Sequence, residues 1–375
     1  MSPMVSTSPM RRRVCMCAAV VLIAAAPAGA RGDTPAAAAQ PAAAQPAQLP
    51  DALTRPEKLQ YSDHAMGTNV TVWLWTADER GAAQAAEAVF NEMKRLDKEM
   101  TTWDPASELS QVNAAAGERA IKVSDETYAV IERALDISKR SQGVFDITVG
   151  AFKGLWKFDD DMDGTLPDPA DVKQRVALVS WKDVVLRPKD HSVMLRRKGM
   201  AVTLGGIAKG YAVDKCVAIL RARGFHDFMM QAGGDMYIAG KKGAEPWMVA
   251  IRDPRGPPGS LFAVAPVEDH SFSTSGDYER GFVKDGVRYH HILDARTGQP
   301  AHASRSVTVR ARDAFTADAW SKVLFILGPK DARALIKREK LTDFEVVWVD
   351  DQNQIEMTDG MKAVLRVLKP PTPGP

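Results

Sequence analysis

The sequence has little cysteine. Three cysteines occur in 375 residues, and two of them, Cys15 and Cys17, lie in an apolar run near the N-terminus. If that run is removed as an export signal, Cys216 is left alone, which excludes an internal disulfide and a thiolate metal cluster. A lone cysteine in a helical pattern is typical of a small apolar packing residue, so we expect Cys216 to have no chemical role.

The sequence also lacks an excess of either charge. It holds 49 lysines and arginines against 47 aspartates and glutamates, a formal net charge of +2. A nucleic-acid-binding protein would need a basic excess or a basic stripe, so the balance argues against that class. None of the seven histidines is spaced as H-x-x-H or H-E-x-x-H. This argues against zinc, and any metal is expected to be a hard, oxygen-bound ion such as magnesium.

Long hydrophobic runs are absent apart from one near the N-terminus. Residues 14–26 are apolar, follow the basic residues 11–13 and precede the Ala-Gly-Ala sequence at 28–30, which is the order of a secretory signal peptide. The run is shorter than a membrane span requires. We predict a signal peptide over residues 1–30 and a soluble periplasmic product without a transmembrane span. The general secretory and twin-arginine export routes both stay open.

Composition divides the rest of the chain into three parts. Residues 31–57 are rich in Ala and Pro and predict a flexible linker, because this composition cannot bury a core. Residues 369–375, KPPTPGP, predict a disordered tail. Residues 58–368 contain no second linker and no repeat, so they predict one large domain.

The periodicity of the domain predicts a mixture of helices and strands. Residues 69–76 alternate as in a strand, and residues 82–100 carry apolar side chains at helical spacing. A further helix is predicted to begin after Ser124 and to end by Gly143. Helices and strands follow one another without a regular βαβ period, which favours an α+β fold over a doubly wound sheet.

Three stretches hold residues suited to chemistry. Residues 204–214, LGGIAKGYAVD, place a glycine-rich turn and Lys209 at a helix start, which suits a phosphate group but also suits close packing. Residues 143–148, GVFDIT, contain Asp146, which is either a turn-capping acid or part of a site. Residues 288–298, RYHHILDARTG, are either a polar hairpin or the edge of an active site.

Taken together, these stretches resemble the ApbE family of FAD:protein FMN transferases. The similar blocks occur in the family's order over about residues 60–330 and are HAMGTNVTV, KEMTTWDPASELSQVN, GVFDITVGAFKGLWKF, LGGIAKGYAVD, QAGGDMYIAG, FSTSGDYERGF, RYHHILDARTGQPA and TADAW. The resemblance implies a single T-fold-related α+β catalytic domain with mixed or antiparallel sheets and packed helices.

The resemblance also implies an activity. Such enzymes cleave the pyrophosphate of FAD and attach FMN through a phosphoester bond to a Thr or Ser hydroxyl of an exported acceptor protein. AMP leaves, and magnesium is needed. Two alternatives stay open, namely a periplasmic FAD pyrophosphatase that yields FMN and AMP, and a non-catalytic flavin-binding protein that serves in maturation or as a carrier.

The resemblance implies roles for particular residues. His291 would be the general base for the acceptor hydroxyl, and Asp294, Arg296 and Thr297 would shape the turn after it. The residues implied to contact FAD are Met66, Trp103, Val144, Phe145, Asp146, Thr203, Lys209 and Ile292. The implied metal ligands are the Gly206 carbonyl and the Asp318 carboxylate.

Two positions depart from the family pattern. Thr203 stands where the family usually has Asp, and Lys322 stands where it usually has a Thr metal ligand. Asp318 and Lys322 are four residues apart in a predicted helix and therefore share one face. We expect the Lys322 ammonium to pair with Asp318, to weaken the dependence on magnesium and partly to take the place of the ion. The alternative is that the lysine side chain extends to solvent and magnesium binds as in the family.

Overall fold

The computed structural model describes residues 55–158 and 161–374. The predicted signal peptide, residues 1–30, lies outside the described residues, as does the predicted linker up to residue 54. The first strand begins at Glu57, one residue before the predicted start of the domain.

The described residues alternate between helices and strands. The helices are α1 (Glu79–Met100), α2 (Glu108–Ala114), α3 (Asp125–Arg140), α4 (Pro169–Val176), α5 (Ala208–Ala222), α6 (Ala314–Glu339) and α7 (Asp359–Val364). The strands are β1 (Glu57–Ala65), β2 (Thr68–Thr76), β3 (Ile121–Lys122), β4 (Val184–Arg187), β5 (Ser192–Leu195), β6 (Phe228–Ala232), β7 (Asp235–Ala239), β8 (Lys241–Lys242), β9 (Glu245–Arg252), β10 (Leu261–Val267), β11 (His270–Gly276), β12 (Gly281–Lys284), β13 (Val287–His290), β14 (Ser304–Ala311), β15 (Phe344–Asp350), β16 (Ile355–Met357) and β17 (Arg366–Val367). Within the described part of the chain, no helix has both the length and the apolar character of a membrane span.

A central sheet organises the domain. Its strands lie in the order β1-β2-β6-β7-β11-β14-β15-β16, and each neighbouring pair runs antiparallel. A smaller sheet has the order β17-β10-β9-β8, and β12 and β13 form a separate hairpin. The α+β fold class predicted from the sequence is confirmed.

Side chains along the central strands alternate between the two faces of the sheet, and each face packs against another part of the domain. On β15, Val346 belongs to the core that packs under the helices, whereas its neighbour Val347 belongs to the core shared with the small sheet. Helices α1, α5 and α6 lie on the first face, and Trp247 and Phe262 of the small sheet pack on the second. This layering holds the starts of α5 and α6 beside the central strands.

Local signals explain where the helices begin and end. The Ser124 hydroxyl accepts the backbone N–H of Thr127 at 3.1 Å and caps α3, as predicted. Helix α6 is interrupted at Gly328, whose φ of 67° and ψ of 173° are not helical, and Pro329 begins the second part. Helix α6 therefore consists of two helical parts that meet at this glycine.

The start of the predicted C-terminal tail is held against the domain. The backbone N–H and the hydroxyl of Thr372 both donate to the buried Asp253 carboxylate, the latter at 2.7 Å. Lys369 pairs with the same carboxylate at 3.0 Å, and Asn353 donates to the Pro371 carbonyl. Residues 369–372 thus contact the domain through a buried acid, and the disorder of residues 369–375 stays a prediction.

Candidate functional site

Four charged side chains lie together beneath the start of α5. The Lys209 ammonium pairs with the carboxylate of Asp235, the first residue of β7. On α6, the Lys322 ammonium pairs with the Asp318 carboxylate one turn earlier. The Gly210 N–H donates to Asp318 Oδ2 at 2.8 Å and so ties α5 to α6. We call Lys209, Asp235, Asp318 and Lys322 the charge cluster.

The charge cluster is buried and internally neutral. The Asp235 and Asp318 side chains are 2% and 0% exposed, whereas those of Lys209 and Lys322 are 24% and 19% exposed. A carboxylate buried without a cation is costly, so each acid needs its lysine. Burial opposes ionisation of Asp235, but Lys209 and Lys322 outweigh it and lower its pKa. Burial and the Asp235 charge raise the pKa of Asp318, against the effect of both lysines.

Close packing requires glycine at position 210. A Cβ atom there would lie 2.6 Å from the Asp318 Cβ and would also clash with the Ala314 carbonyl. The packing interpretation of the glycine-rich stretch is therefore confirmed at Gly210. Its packing brings the Lys209 end of α5 directly onto α6, where Asp318 and Lys322 lie.

Three serine hydroxyls, two on strand β11 of the central sheet and one on α6, lie beside the acids. The Ser273 hydroxyl donates to Asp235 Oδ1 at 2.5 Å, and Ser321 donates to the Asp318 carbonyl at 2.8 Å. Ser275 on β11 lies 2.8 Å from the Ser321 hydroxyl oxygen. Sequence reasoning missed these serines and Asp235, because single polar residues within strands carry no spacing signal.

The two histidines of residues 288–298 have different surroundings. His290 is 1% exposed, and its Nε2 lies 2.7 Å from the Ala301 carbonyl oxygen. The Ile292 N–H donates to His290 Nδ1, so both ring nitrogens of His290 have partners within the protein. His291 is exposed instead. The two side chains therefore lie on opposite sides of the strand end.

His291 has the features of a neutral base. Its Nδ1 lies 3.4 Å from the Arg280 carbonyl oxygen, which favours the tautomer with its hydrogen on Nδ1 and leaves Nε2 as the acceptor. Although His291 keeps an exposed surface, the surrounding protein desolvates its ring, and the positive charges of His290, Arg280 and Lys322 add to this effect. Together they lower the pKa of His291.

Arg280 connects the histidine to a second part of the site. Its guanidinium donates to the Gly67 carbonyl at 3.2 Å, and its charge acts on both Lys209 and His291. Arg280 was not singled out from the sequence, although it lies in the quoted block FSTSGDYERGF. No local sequence pattern indicates its role, because its partners Gly67 and His291 lie 213 residues before it and 11 residues after it.

Met66 and Trp103 border one open groove. The groove has a volume of about 550 Å³ and is lined by His64, Ala65, Met66, Gly67, Lys94, Asp97, Lys98, Thr101, Trp103 and Asp104. The Trp103 side chain is 75% exposed, and the Lys153 ammonium lies 4.4 Å from the centre of its ring. An exposed indole face beside a cation is a stacking surface suited to a planar ring such as adenine or isoalloxazine.

The segment from Val144 to Asp146 adjoins the glycine-rich turn. A Cβ atom on Gly206 would lie 3.3 Å from the Phe145 ring, and the Thr203 N–H donates to the Ile147 carbonyl at 2.8 Å. Both Val144 and Phe145 are buried. The structure therefore brings residues 144–147 and 203–206 together, as the resemblance implies.

Both oxygens of the Asp146 carboxylate accept hydrogen bonds from neutral donors. Its Oδ1 accepts the N–H and the hydroxyl of Thr148, and its Oδ2 accepts the Trp181 N–H at 2.8 Å. Burial raises its pKa, against these hydrogen bonds. Asp146 thus fixes a turn, which is the turn-capping interpretation of this acid, and its role toward FAD stays a prediction.

The turn after the histidines contains side-chain hydrogen bonds of Asp294, Arg296 and Thr297. Arg296 pairs with the Asp294 carboxylate at 2.7 Å, and the Thr297 hydroxyl accepts the Gln299 N–H at 3.3 Å. Ile292 is buried in the core at the base of this turn. The stretch is therefore a strand end and a turn, and its exposed His291 lies within reach of the Lys322 charge.

The chain matches a known family over most of its length. The model of the ApbE family matches residues 66–348. An FAD:protein FMN transferase from Treponema pallidum is 32% identical over 319 residues, which cover 81% of this chain and 87% of the relative. One from Klebsiella pneumoniae is 32% identical over 298 residues, covering 79% and 90%.

Solved structures show the same fold. The crystal structure of the ApbE protein from Thermotoga maritima has a TM-score of 0.75 and 32% sequence identity, and the match covers 82% of this chain and 99% of that protein. The similarity therefore extends through the groove, the charge cluster and residues 288–298.

Proposed function

The chain belongs to the ApbE family, and we propose that it is an FAD:protein FMN transferase of the periplasm. In this reaction a Thr or Ser hydroxyl of an exported acceptor protein attacks the phosphorus of the FMN half of FAD. A new P–O bond forms, the pyrophosphate P–O bond breaks and AMP leaves. The hydroxyl proton passes to His291 Nε2, and the acceptor carries FMN through a phosphoester bond.

The position of His291 beside the charge cluster is the observation that carries this proposal. A general base must be unprotonated at the working pH, and the lowered pKa of His291 keeps its imidazole neutral. The Arg280 carbonyl at Nδ1 directs the free lone pair of Nε2 away from the strand end. The ring can then accept a proton from a hydroxyl that approaches from solvent.

The cations of the site suit a pyrophosphate. Phosphoryl transfer depends largely on positioning and on stabilisation of phosphate charge. Lys209 lies at the start of α5, and Arg280 is close enough for its charge to act on it. Burial and Arg280 lower the pKa of Lys209, but the charges of Asp235 and Asp318 outweigh them and raise it above its usual value. The groove that contains Met66 and Trp103 adjoins Gly67, which Arg280 contacts, and offers the space for the flavin and adenine rings.

Magnesium is implied by the resemblance, but the donor set around Asp318 does not fit it. Asp318 Oδ1 is paired with Lys322, and Oδ2 accepts the Gly210 N–H. Within the described residues, no three His, Cys, Asp or Glu side chains are grouped so as to hold a metal ion. We therefore route no step of the proposed reaction through a metal.

Incubation with FAD and an exported flavoprotein produced without its FMN tests the proposal. AMP release together with fluorescent, FMN-modified acceptor is the expected result, and the mass of the acceptor should increase by that of the FMN group. AMP with free FMN alone would favour the pyrophosphatase, and bound FAD without AMP would favour the carrier. The His291→Ala variant is the control for proton transfer.

The periplasmic location rests on the order of charges and apolar residues in 11–30. Cell fractionation followed by N-terminal sequencing is the test. A periplasmic chain that begins near Arg31 is expected, whereas a cytoplasmic chain that retains residue 1 would contradict the proposal.

A further inference from the structure

Lys322 is held inside the site and does not extend to solvent. Its ammonium contacts the Asp318 carboxylate, and its side chain is 19% exposed. Asp318 is fully buried, so movement of Lys322 into solvent would leave this carboxylate with the neutral Gly210 N–H as a donor and without its contacting cation, although the Lys209 charge also acts on it. Loss of one partner from a buried ion pair is strongly unfavourable. The sequence alternative in which Lys322 points outward is therefore wrong.

The charge of Lys322 also acts on groups other than its ion-pair partner, Asp318. It acts on Asp235, across the charge cluster, and on His291, the base of the proposed reaction. Lys209 and Arg280 act on each other in the same space. Three cationic side chains thus converge on the region between the start of α5 and His291, whereas the two acids of the charge cluster are buried behind them.

The same arrangement disfavours a divalent cation at Asp318. Both carboxylate oxygens have donors, and a metal ion there would have to displace the Lys322 ammonium or lie against it. Two like charges at such short range repel strongly in a partly desolvated site. An ammonium also donates hydrogen bonds directly to phosphate oxygens, which a buried carboxylate cannot do.

We propose that Lys322 is a built-in cation for the FAD pyrophosphate, acting with Lys209 and Arg280 where a divalent ion would otherwise be required. This inference rests on the proposed function. FAD carries two negative charges on its pyrophosphate. Lys209 and Lys322 balance the two buried acids, and the N–H groups that these ammonium groups do not use on the acids can donate to the phosphate oxygens, with Lys322 acting next to His291.

FAD binding with and without divalent ions is the direct test. FAD affinity is measured by quenching of flavin fluorescence in the His291→Ala background, where FAD is not consumed, in EDTA and in magnesium chloride. We expect the parent to bind equally well, within about twofold, in both solutions. With Lys322→Thr added, affinity in EDTA should fall about tenfold or more, the effect of one lost charge-assisted hydrogen bond, and magnesium should restore part of it.

Two further variants keep the test decisive. Lys322→Arg preserves the charge and should retain binding in EDTA, and Lys337→Thr, on an exposed position of the same helix, should match the parent. Manganese binding without FAD, followed by electron paramagnetic resonance, should be at least tenfold tighter for Lys322→Thr than for the parent. This readout does not depend on activity.

The outcomes that overturn the inference are separate from failure of the proposed function. An EDTA-induced loss of FAD affinity in the parent would refute a built-in cation, and the parent alone gives this result even if Lys322→Thr does not fold. Equal binding in EDTA by the parent and Lys322→Thr would also refute it. Absence of FAD binding by the parent in both solutions would instead refute the proposed function.

Discussion

His290 and His291 are adjacent in the chain but belong to two different regions. His290 faces the core, where it packs edge-to-face on Phe325 with a ring separation of 5.6 Å and has partners on both nitrogens. His291 faces the charge cluster and solvent, and its ring contacts the protein through Nδ1, which lies 3.4 Å from the Arg280 carbonyl oxygen. One residue of backbone alternation therefore separates a buried imidazole with partners on both nitrogens from the exposed imidazole that we propose as the general base.

The carboxylates of the domain show the same contrast. Asp146 is satisfied by neutral N–H and hydroxyl donors, whereas Asp235 and Asp318 are satisfied by lysines. The neutral donors of Asp146 fix a turn. Each lysine neutralises the charge of its acid partner but keeps N–H donors for a ligand, because an ammonium has three donors and one carboxylate does not use all of them.

The largest effect is expected at His291. His291→Ala removes the base and should lower the rate of FMN transfer by about 10²–10⁴-fold, the usual contribution of a general base. FAD affinity should stay nearly unchanged, because the ring acts on the acceptor hydroxyl. AMP release under saturating FAD and fluorescence quenching by FAD measure the two quantities separately.

A different result would show that His291, like His290, has a structural role. If His291→Ala lost FAD affinity or stability but kept its turnover per bound FAD, the residue would have a packing role. Full transfer by this variant would exclude His291 from the mechanism.

The next effect is expected at His290, and on stability. His290→Ala removes a buried ring and leaves the Ala301 carbonyl without its donor, so the free energy of unfolding should fall by about 2–4 kcal/mol. Turnover per folded molecule should change little. Denaturant unfolding gives the stability, and titration of active sites with FAD gives the folded fraction. A large loss of turnover with stability intact would contradict the comparison.

The acid stability of the domain provides a third test. Burial lowers the pKa of His290 to about 4, with His302 and Arg288 acting in the same direction and the Ala301 carbonyl and Asp277 opposing them. Between pH 6.5 and 4 the unfolded chain therefore binds a proton that the folded chain does not, and stability falls as the pH falls. This group should account for about 2–3 kcal/mol of the loss over that range.

His290→Gln isolates the contribution, since Gln does not titrate and its amide can still donate to the Ala301 carbonyl. Unfolding by urea at several pH values should show a shallower decline for His290→Gln than for the natural chain. Parallel curves for the two proteins would show that His290 does not titrate as its burial requires.

Much of the fold could be predicted from sequence because its signals are local. The cap at Ser124, the break at Gly328 and the alternation over residues 69–76 each depend on a few neighbouring residues. The order of the central sheet could not be predicted from them. Its pairings, such as β2 with β6, join segments more than 150 residues apart, and no local pattern records them.

The residues of the site also divide into those that could be predicted from the sequence and those that could not. Lys209 and His291 lie in stretches that the sequence singled out, whereas the resemblance singled out Asp318 and Lys322, and their spacing of four residues then predicted their contact. Asp235 and Arg280 could not be predicted, because their roles arise from pairing with Lys209 and Gly67 across the fold. Tertiary contacts of this kind leave no trace in spacing.

The smallest effect is expected in the turn that follows the histidines. Arg296 is 49% exposed on its side chain, and its pair with Asp294 is open to solvent and to salt. Arg296→Ala should therefore lower the free energy of unfolding by at most about 1 kcal/mol, and less at high ionic strength. The backbone of the turn is held independently by the Gly298 N–H, which donates to the Asp294 carbonyl at 2.8 Å. FMN transfer should stay within about twofold of the natural chain, as measured by the same AMP assay. A loss of transfer as large as that of His291→Ala, without loss of stability, would extend the reactive region beyond His291 into the turn.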